Sequence, residues 1–189
     1  MTTDYLVLGS GIAGLSFALE AARTGRVLVA TKRAAEESNT RYAQGGIATV
    51  LSKGDSFDLH VRDTLTAGGG LCHEDVVNMC VKSGPERIRW LEDQGVSFTG
   101  MSRNKKMEFD LGREGGHSRR RVLHVEDLTG REVERVLLDK ARADRNITIM
   151  ENWMGVDLWR DEDGPGGPRV RGAYLIDRQS GRVETVGAK

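Results

Sequence analysis

Gly9-Ser10-Gly11-Ile12-Ala13-Gly14 is the segment that most restricts what this chain can become. It stands between a short apolar run, residues 4–9, and a stretch in which Leu15, Leu19 and Ala22 recur at helical spacing. A brief apolar run closed by glycine reads as a buried parallel strand. Gly25 stands where a helix C-cap is expected, and a second apolar run, Val27-Leu28-Val29-Ala30, follows it. Strand, turn, helix and strand in this order make a βαβ unit with a right-handed crossover. In such a unit the first glycine permits the tight turn and the second lets backbone approach a pyrophosphate. The third packs helix on strand, and the helix N-terminus faces the phosphate charge. The spacing predicts that Gly9, Ser10, Gly11, Ile12, Ala13 and Gly14 bind a dinucleotide.

Texture changes after the second strand. Residues 36–56 hold neither helical nor alternating periodicity and read as a long ordered loop, the kind that is usually functional. Residues 58–67 and 75–94 read as helices parted by Gly68-Gly69-Gly70. In the second, Val76, Met79, Cys80, Ile88 and Leu91 supply the apolar face, Pro85 is expected to break it, and Gly95 to stop it. A loop rich in glycine, arginine and histidine spans 110–121, and a helix is expected over 129–143, its face set by Val133, Val136, Leu137 and Lys140. The tail alternates like sheet over 147–151, 155–159, 172–177 and 182–186, with turns at 163–168 and 178–181. The expected fold class is α/β: a Rossmann-like domain whose parallel sheet begins with the βαβ unit and is followed by an antiparallel β-meander.

Charge narrows the function. Lys plus Arg number 28 and Asp plus Glu number 28, so no polybasic nucleic-acid surface is expected. The most apolar stretch, Tyr5 to Ala22, follows an aspartate and is broken by glycines, so neither a signal peptide nor membrane insertion is expected. Two cysteines, Cys72 and Cys80, form no C-x-x-C pair, and His117 and His124 lack companions at ligand spacing, so no disulfide framework and no metal site is expected. A cytoplasmic location fits these thiols. Arg119-Arg120-Arg121 reads either as a solvated loop or as a cluster that draws in a dicarboxylate.

The acidic residue that would hold a ribose hydroxyl is missing, and Thr31-Lys32 stands in its place. A cation there suits an NADP 2′-phosphate, which keeps NADPH in competition with FAD. The segment from Ser38 to Ala48 bears on the choice. Paired glycines 45 and 46 let main-chain N–H groups approach a flat ring, where donors stabilise the electrons of a reduced flavin. With this segment the sequence resembles the succinate dehydrogenase and fumarate reductase flavoprotein superfamily, and within it the L-aspartate oxidases. The blocks His60 to Gly68, Arg113 to Ser118, Arg121 to His124 and Thr129 to Val133 are similar to that branch in the same order. Gly69, Gly112 and Glu126-Asp127-Leu128 depart from its pattern.

The resemblance implies FAD as cofactor, contacted by the glycine turn, Lys32, Asn39, Thr40, Arg41, Tyr42, Ala43, Gln44, Gly45, Gly46 and Val156. Asn39 occupies the position where respiratory relatives carry the histidine that attaches flavin, so the FAD is expected to be noncovalent. Glu114 is implied to orient substrate by meeting the ammonium of L-aspartate, a charge that succinate and fumarate lack; a surface ion pair with Arg113 is the plain alternative. The implied reaction oxidises L-aspartate to iminoaspartate with oxygen or fumarate as acceptor, toward quinolinate and NAD, with quinolinate synthase as a possible partner. By the same resemblance residues 1–189 form the N-terminal part of the FAD-binding domain, without the capping domain and C-terminal helical domain. The acid/base arginine belongs to those parts, so no catalytic residue is assigned here and the chain alone is not expected to turn over aspartate. A noncatalytic nucleotide-binding remnant and a fumarate reductase-type flavoprotein are the competing readings.

Overall fold

The computed structural model describes residues 1–103, 106–125, 128–163 and 167–189, with the side chains of 101–107 left aside. Glu126, Asp127 and the middle of the Gly/Pro turn expected at 163–168 lie outside the described residues. In chain order the elements are β1 (Tyr5–Leu8), α1 (Ile12–Ala21), β2 (Val27–Thr31), a 3-10 turn (Asn39–Tyr42), β3 (Ile47–Ala48), α2 (Phe57–Ala67) and α3 (Glu74–Gln94). There follow β4 (Gly100–Arg103), β5 (Lys106–Phe109), β6 (Leu111–Gly112), β7 (Val122–Leu123), α4 (Thr129–Ala143), β8 (Ile147–Glu151), β9 (Trp153–Asp161), β10 (Arg169–Asp177) and β11 (Val183–Gly187). Contacts divide the chain into two units, Met1–Arg41 with Glu134–Lys189, and Tyr42–Val133.

The first unit contains the expected α/β architecture. β2 lies between β1 and β8 in a parallel sheet, with Val27 opposite both Tyr5 and Ile147. All five β2 residues are buried, as a central strand covered on both faces requires. Strand alternation sends Leu28 and Ala30 to one side, where they pack with Ala173, Leu175 and Val186 of the antiparallel β9-β10-β11 meander. Val7 turns the opposite way, toward α1, which buries Leu15, Ala18 and Ala21. Burying each such Val or Leu is worth about 1.5–3 kcal/mol.

Several expectations need correction in this unit. Gly25 is not a left-handed cap, since α1 closes on Ala22 in αR geometry. Its glycine answers a packing need, because a Cβ there would lie 2.8 Å from Asp4 Cβ. The edge of β11 beyond Val186 is paired. Thr3 N donates to Gly187 O at 3.0 Å and Gly187 N donates to Met1 O at 3.0 Å, so the first residues of the chain cover it. On α4 the side chain of Lys140 is exposed, and Leu138, Ala141 and Glu134 are buried instead.

The second unit holds a small antiparallel sheet in the order β3-β7-β6, the β4-β5 hairpin, and α2 beside α3. Ser56 caps α2 by accepting from Leu59 N at 3.2 Å. Gly95 ends α3 in the left-handed region, φ 109°, as expected. Pro85 does not break α3, which runs through it as one helix; the proline removes one donor and the remaining turns hold. The apolar face also differs. Val81, Ile88 and Leu91 are buried while Val76, Met79 and Cys80 are exposed. Among the described residues no helix is long and apolar enough to cross a membrane.

Candidate cofactor site

The glycine turn in the first unit has the geometry its spacing implies. Gly9 sits at φ 108°, a conformation that side chains disfavour, and its N–H donates to Ala30 O at 2.9 Å, tying the turn to β2. A Cβ on Gly14 would come within 2.1 Å of Gly9 O and 3.1 Å of Val7 Cγ1, so only glycine lets α1 lie this close to β1. Gly11 is the α1 N-cap and makes no side-chain cap. A Cβ there would approach Thr40 Oγ1 at 3.3 Å. Thr40 Oγ1 in turn accepts from Ile12 N at 3.0 Å, which satisfies one of the helix's unpaired first amides. Ser10 points inward and donates to Thr31 Oγ1 at 3.2 Å, so its contribution to any ligand is through backbone. Ala13, Lys32 and Asn39 are exposed, and Val156, on β9 next to a register shift, is 57% exposed.

Tyr42, Ala43, Gln44, Gly45 and Gly46 belong to the second unit and all are exposed. Their backbone is nevertheless fixed. Ala43 O accepts from Gly130 N at 2.9 Å, and Gly46, at φ 102°, lies against β7 so closely that a Cβ would meet Leu123 O at 2.2 Å. At Ala43, Gly45 and Gly46 this exposed main chain carries little or no side-chain bulk, which is what a flat aromatic ligand needs in order to receive backbone hydrogen bonds.

Glu114 opens a tight turn closed by the bond from His117 N to Glu114 O at 3.2 Å, and its side chain is exposed. The loop behind it is latched. Ser118 donates to Asp63 Oδ2 from both its backbone nitrogen, at 2.7 Å, and its hydroxyl, at 2.8 Å. The same Asp63 oxygen accepts from Arg121 Nη1 at 2.7 Å, while Arg121 Nε and Nη2 grip Asp55 at 2.8 Å each. Arg121 is fully buried, so a steering role for it in solvent is excluded. Arg119 and Arg120 bind the carbonyls of Gly54 and Leu111. No spacing rule pointed to Asp55 or Asp63, because their partner lies 66 and 58 residues further along the chain.

Two titrations follow from this network. Burial alone would raise the Asp63 carboxyl, but hydrogen bonds from Ser118 and Arg121 outweigh it and hold the group down at about 2 from its ordinary 3.8. His60 is buried with Nδ1 unpaired, its ring edge-on to His117 at 5.7 Å. Burial, then the positive charge of Arg121, then His117 lower its pKa below the ordinary 6.5. Each group is favoured by folding in its deprotonated form, so each contributes stability above its ordinary pKa and loses it on acidification. The urea midpoint should therefore fall first as pH drops below 6.5, from His60, and again between 3.8 and about 2, from Asp63. In a His60→Gln variant the first decline should vanish. A midpoint flat from neutrality down to pH 4 in the unsubstituted protein would refute the assignment of His60.

With this geometry established, comparison with known proteins decides the family. The sequence pattern described as FAD binding domain matches residues 4–189. The chain belongs to this family. FAD is accordingly its cofactor, and the turn over Gly9, Gly11 and Gly14 fits the group, since Gly14 lets α1 lie against β1 and no atom lies within 4 Å of a Cβ built on Gly9. Among curated relatives, L-aspartate oxidase 1 of Ralstonia nicotianae is 46% identical over 98% of this chain, and the L-aspartate oxidase of Vibrio cholerae is 44% identical over 98%. The chain spans only about a third of these proteins, 35% of each. Among solved structures, E. coli quinol fumarate reductase FrdA superposes on the whole chain with a TM-score of 0.87 at 28% identity, the chain covering 31% of it. The Mycobacterium smegmatis Sdh1 complex gives 0.83 at 28% identity over 99% of the chain and 33% of its own.

Proposed function

We propose that this chain is the FAD-holding N-terminal part of an L-aspartate oxidase, which converts L-aspartate to iminoaspartate with oxygen or fumarate as acceptor. The observation that carries this reading is the 46% identity, over almost the whole chain, to a curated L-aspartate oxidase. When bound, FAD supplies acceptance of two electrons from the substrate. The turn from Gly9 to Gly14 would hold the pyrophosphate through backbone N–H groups and the N-terminus of α1. Lys32 and Val156 would flank the nucleotide, and Asn39, Thr40, Arg41, Tyr42, Ala43, Gln44, Gly45 and Gly46 would line the flavin. With Asn39 in place of an attaching histidine the flavin is noncovalent. Glu114 would meet the substrate ammonium from its latched turn. Iminoaspartate would pass to a quinolinate synthase in NAD biosynthesis, and the two free cysteines suit the reducing cytoplasm.

The test is a chimera that joins residues 1–189 to the remaining two-thirds of the Ralstonia nicotianae relative. In it Glu114→Gln keeps shape and removes charge, which should lower kcat/KM for aspartate by about tenfold to a hundredfold, the worth of one hydrogen bond to a charged group. Fumarate reduction should change by less than about threefold, because that substrate presents no ammonium. Equal losses in both reactions would show that Glu114 serves the loop and not the substrate.

A further inference from the structure

Glu134 is a carboxylate buried in the first unit, at 2% exposure, and the function described so far makes no use of it. It lies on α4, in the turn after the Thr129–Val133 block, and its Oε1 accepts a hydrogen bond from the hydroxyl of Ser38. Ser38 Oγ also accepts from Thr40 N at 3.1 Å. Thr40 Oγ1 accepts from Ile12 N at 3.0 Å, the first amide of α1. A continuous chain of hydrogen bonds thus runs from the interior face of α4 to the glycine turn. Gly11 makes its last step possible, because a side chain there would crowd Thr40 Oγ1 at 3.3 Å and Ser38 Oγ at 3.8 Å.

Burying a carboxylate is costly unless it is hydrogen-bonded, and a leucine on this inward face of α4 would pack without that cost. The group therefore asks for a local reason. Ser38 has one hydroxyl proton. Given to Glu134, it leaves the Ser38 oxygen free to accept from Thr40 N, which fixes the Thr40 hydroxyl above the α1 N-terminus. Removing the carboxylate frees the Ser38 hydroxyl to rotate and loosens both later bonds. Resting on the reading that this turn receives FAD, we infer that Glu134 is a positioning residue, which acts through Ser38 and Thr40 to hold the first amides of α1 in the arrangement that accepts the cofactor pyrophosphate. Arg41, Glu36 and Glu37 are the other charged groups that act on Glu134, and burial is the main cause that raises its pKa. Its role here is that of an acceptor, which the neutral amide of glutamine can also fill.

Amide hydrogen exchange on the protein without ligand tests the relay itself, and FAD affinity by flavin fluorescence quenching tests its consequence. Glu134→Ala and Ser38→Ala should each speed exchange at Ile12 and Thr40 by about tenfold, with little further effect when combined, while Val29 in the central strand exchanges as before. Both should weaken FAD binding by about tenfold, and Glu134→Gln should stay within about threefold of the unsubstituted protein on both measures. Should Glu134→Ala fail to fold, Ser38→Ala and Glu134→Gln carry the same expectations. Unchanged exchange at Ile12 in a folded Ser38→Ala or Glu134→Ala variant would overturn the inference, as would a loss in Glu134→Gln equal to that of the alanine. If the unsubstituted protein failed to bind FAD at all, the cofactor reading would fall, and the exchange rates would still decide the relay.

Discussion

Gly14→Ala should abolish FAD binding and destabilise the first unit by about 3 kcal/mol or more, at the upper end of what overpacking costs. The added methyl would lie 2.1 Å from the carbonyl oxygen of Gly9, far inside an ordinary contact, and that oxygen belongs to a turn already pinned to β2. The blocking atom is backbone, so no side chain can swing away to make room. The helix must move off the strand and give up its close packing on Val7, whose Cγ1 would lie 3.1 Å from the added methyl. A displaced α1 takes its N-terminal amides out of reach of the pyrophosphate, so the loss in binding should exceed the loss in stability. Gly9→Ala makes a useful comparison. Nothing lies within 4 Å of its Cβ, and its cost should come from φ 108° alone, about 1–2 kcal/mol. Denaturation and FAD titration of the two variants check the ranking, and equal effects would mean that helix–strand contact is not what position 14 protects.

Arg121→Met should cost the second unit about 3–5 kcal/mol, the usual consequence of leaving a buried charge unpaired. Asp55 would lose both of its guanidinium bonds in a site with no exposure, and Asp63 would keep only Ser118. Arg121→Lys should recover little, because an ammonium cannot grip Asp55 with two parallel bonds and reach Asp63 as well. Replacing all three, Arg121→Met with Asp55→Asn and Asp63→Asn, should regain part of the loss, since the stranded charges are gone. Chemical denaturation measures each step. A loss below about 1 kcal/mol for Arg121→Met would place this network among ordinary surface pairs.

Arg121 and Glu134 also mark where the sequence stops being legible. A glycine that must turn, or admit a helix against a strand, is constrained by its immediate neighbours, so positions 9, 11 and 14 could be read from spacing, as could the apolar run Val27-Leu28-Val29-Ala30 of β2. The parallel start and the antiparallel meander followed from the same local periodicities. Arg121 reads as one of three exposed arginines, and only its partners across 66 and 58 residues draw it inside. Glu134 is similar, since its partner Ser38 lies 96 residues away, and helical spacing placed Val133, Val136 and Leu137 correctly on the inward face of α4 but added Lys140 and passed over Glu134. Pro85 failed as a breaker for a related reason. Packing of Val81, Ile88 and Leu91 holds α3 across the one bond that proline removes. Gly25, read as a cap, turned out to answer to Asp4, a contact between residues 21 apart that no local rule contains.

On the proposed reading, FAD sits noncovalently on the turn from Gly9 to Gly14. Purified protein equilibrated with FAD and freed of excess by gel filtration should carry one flavin per chain, and acid precipitation should release all of it to the supernatant. A protein that emerges without flavin yet binds NADPH selectively would contradict the cofactor, and flavin that stays with the precipitated polypeptide would contradict the noncovalent bond expected from Asn39.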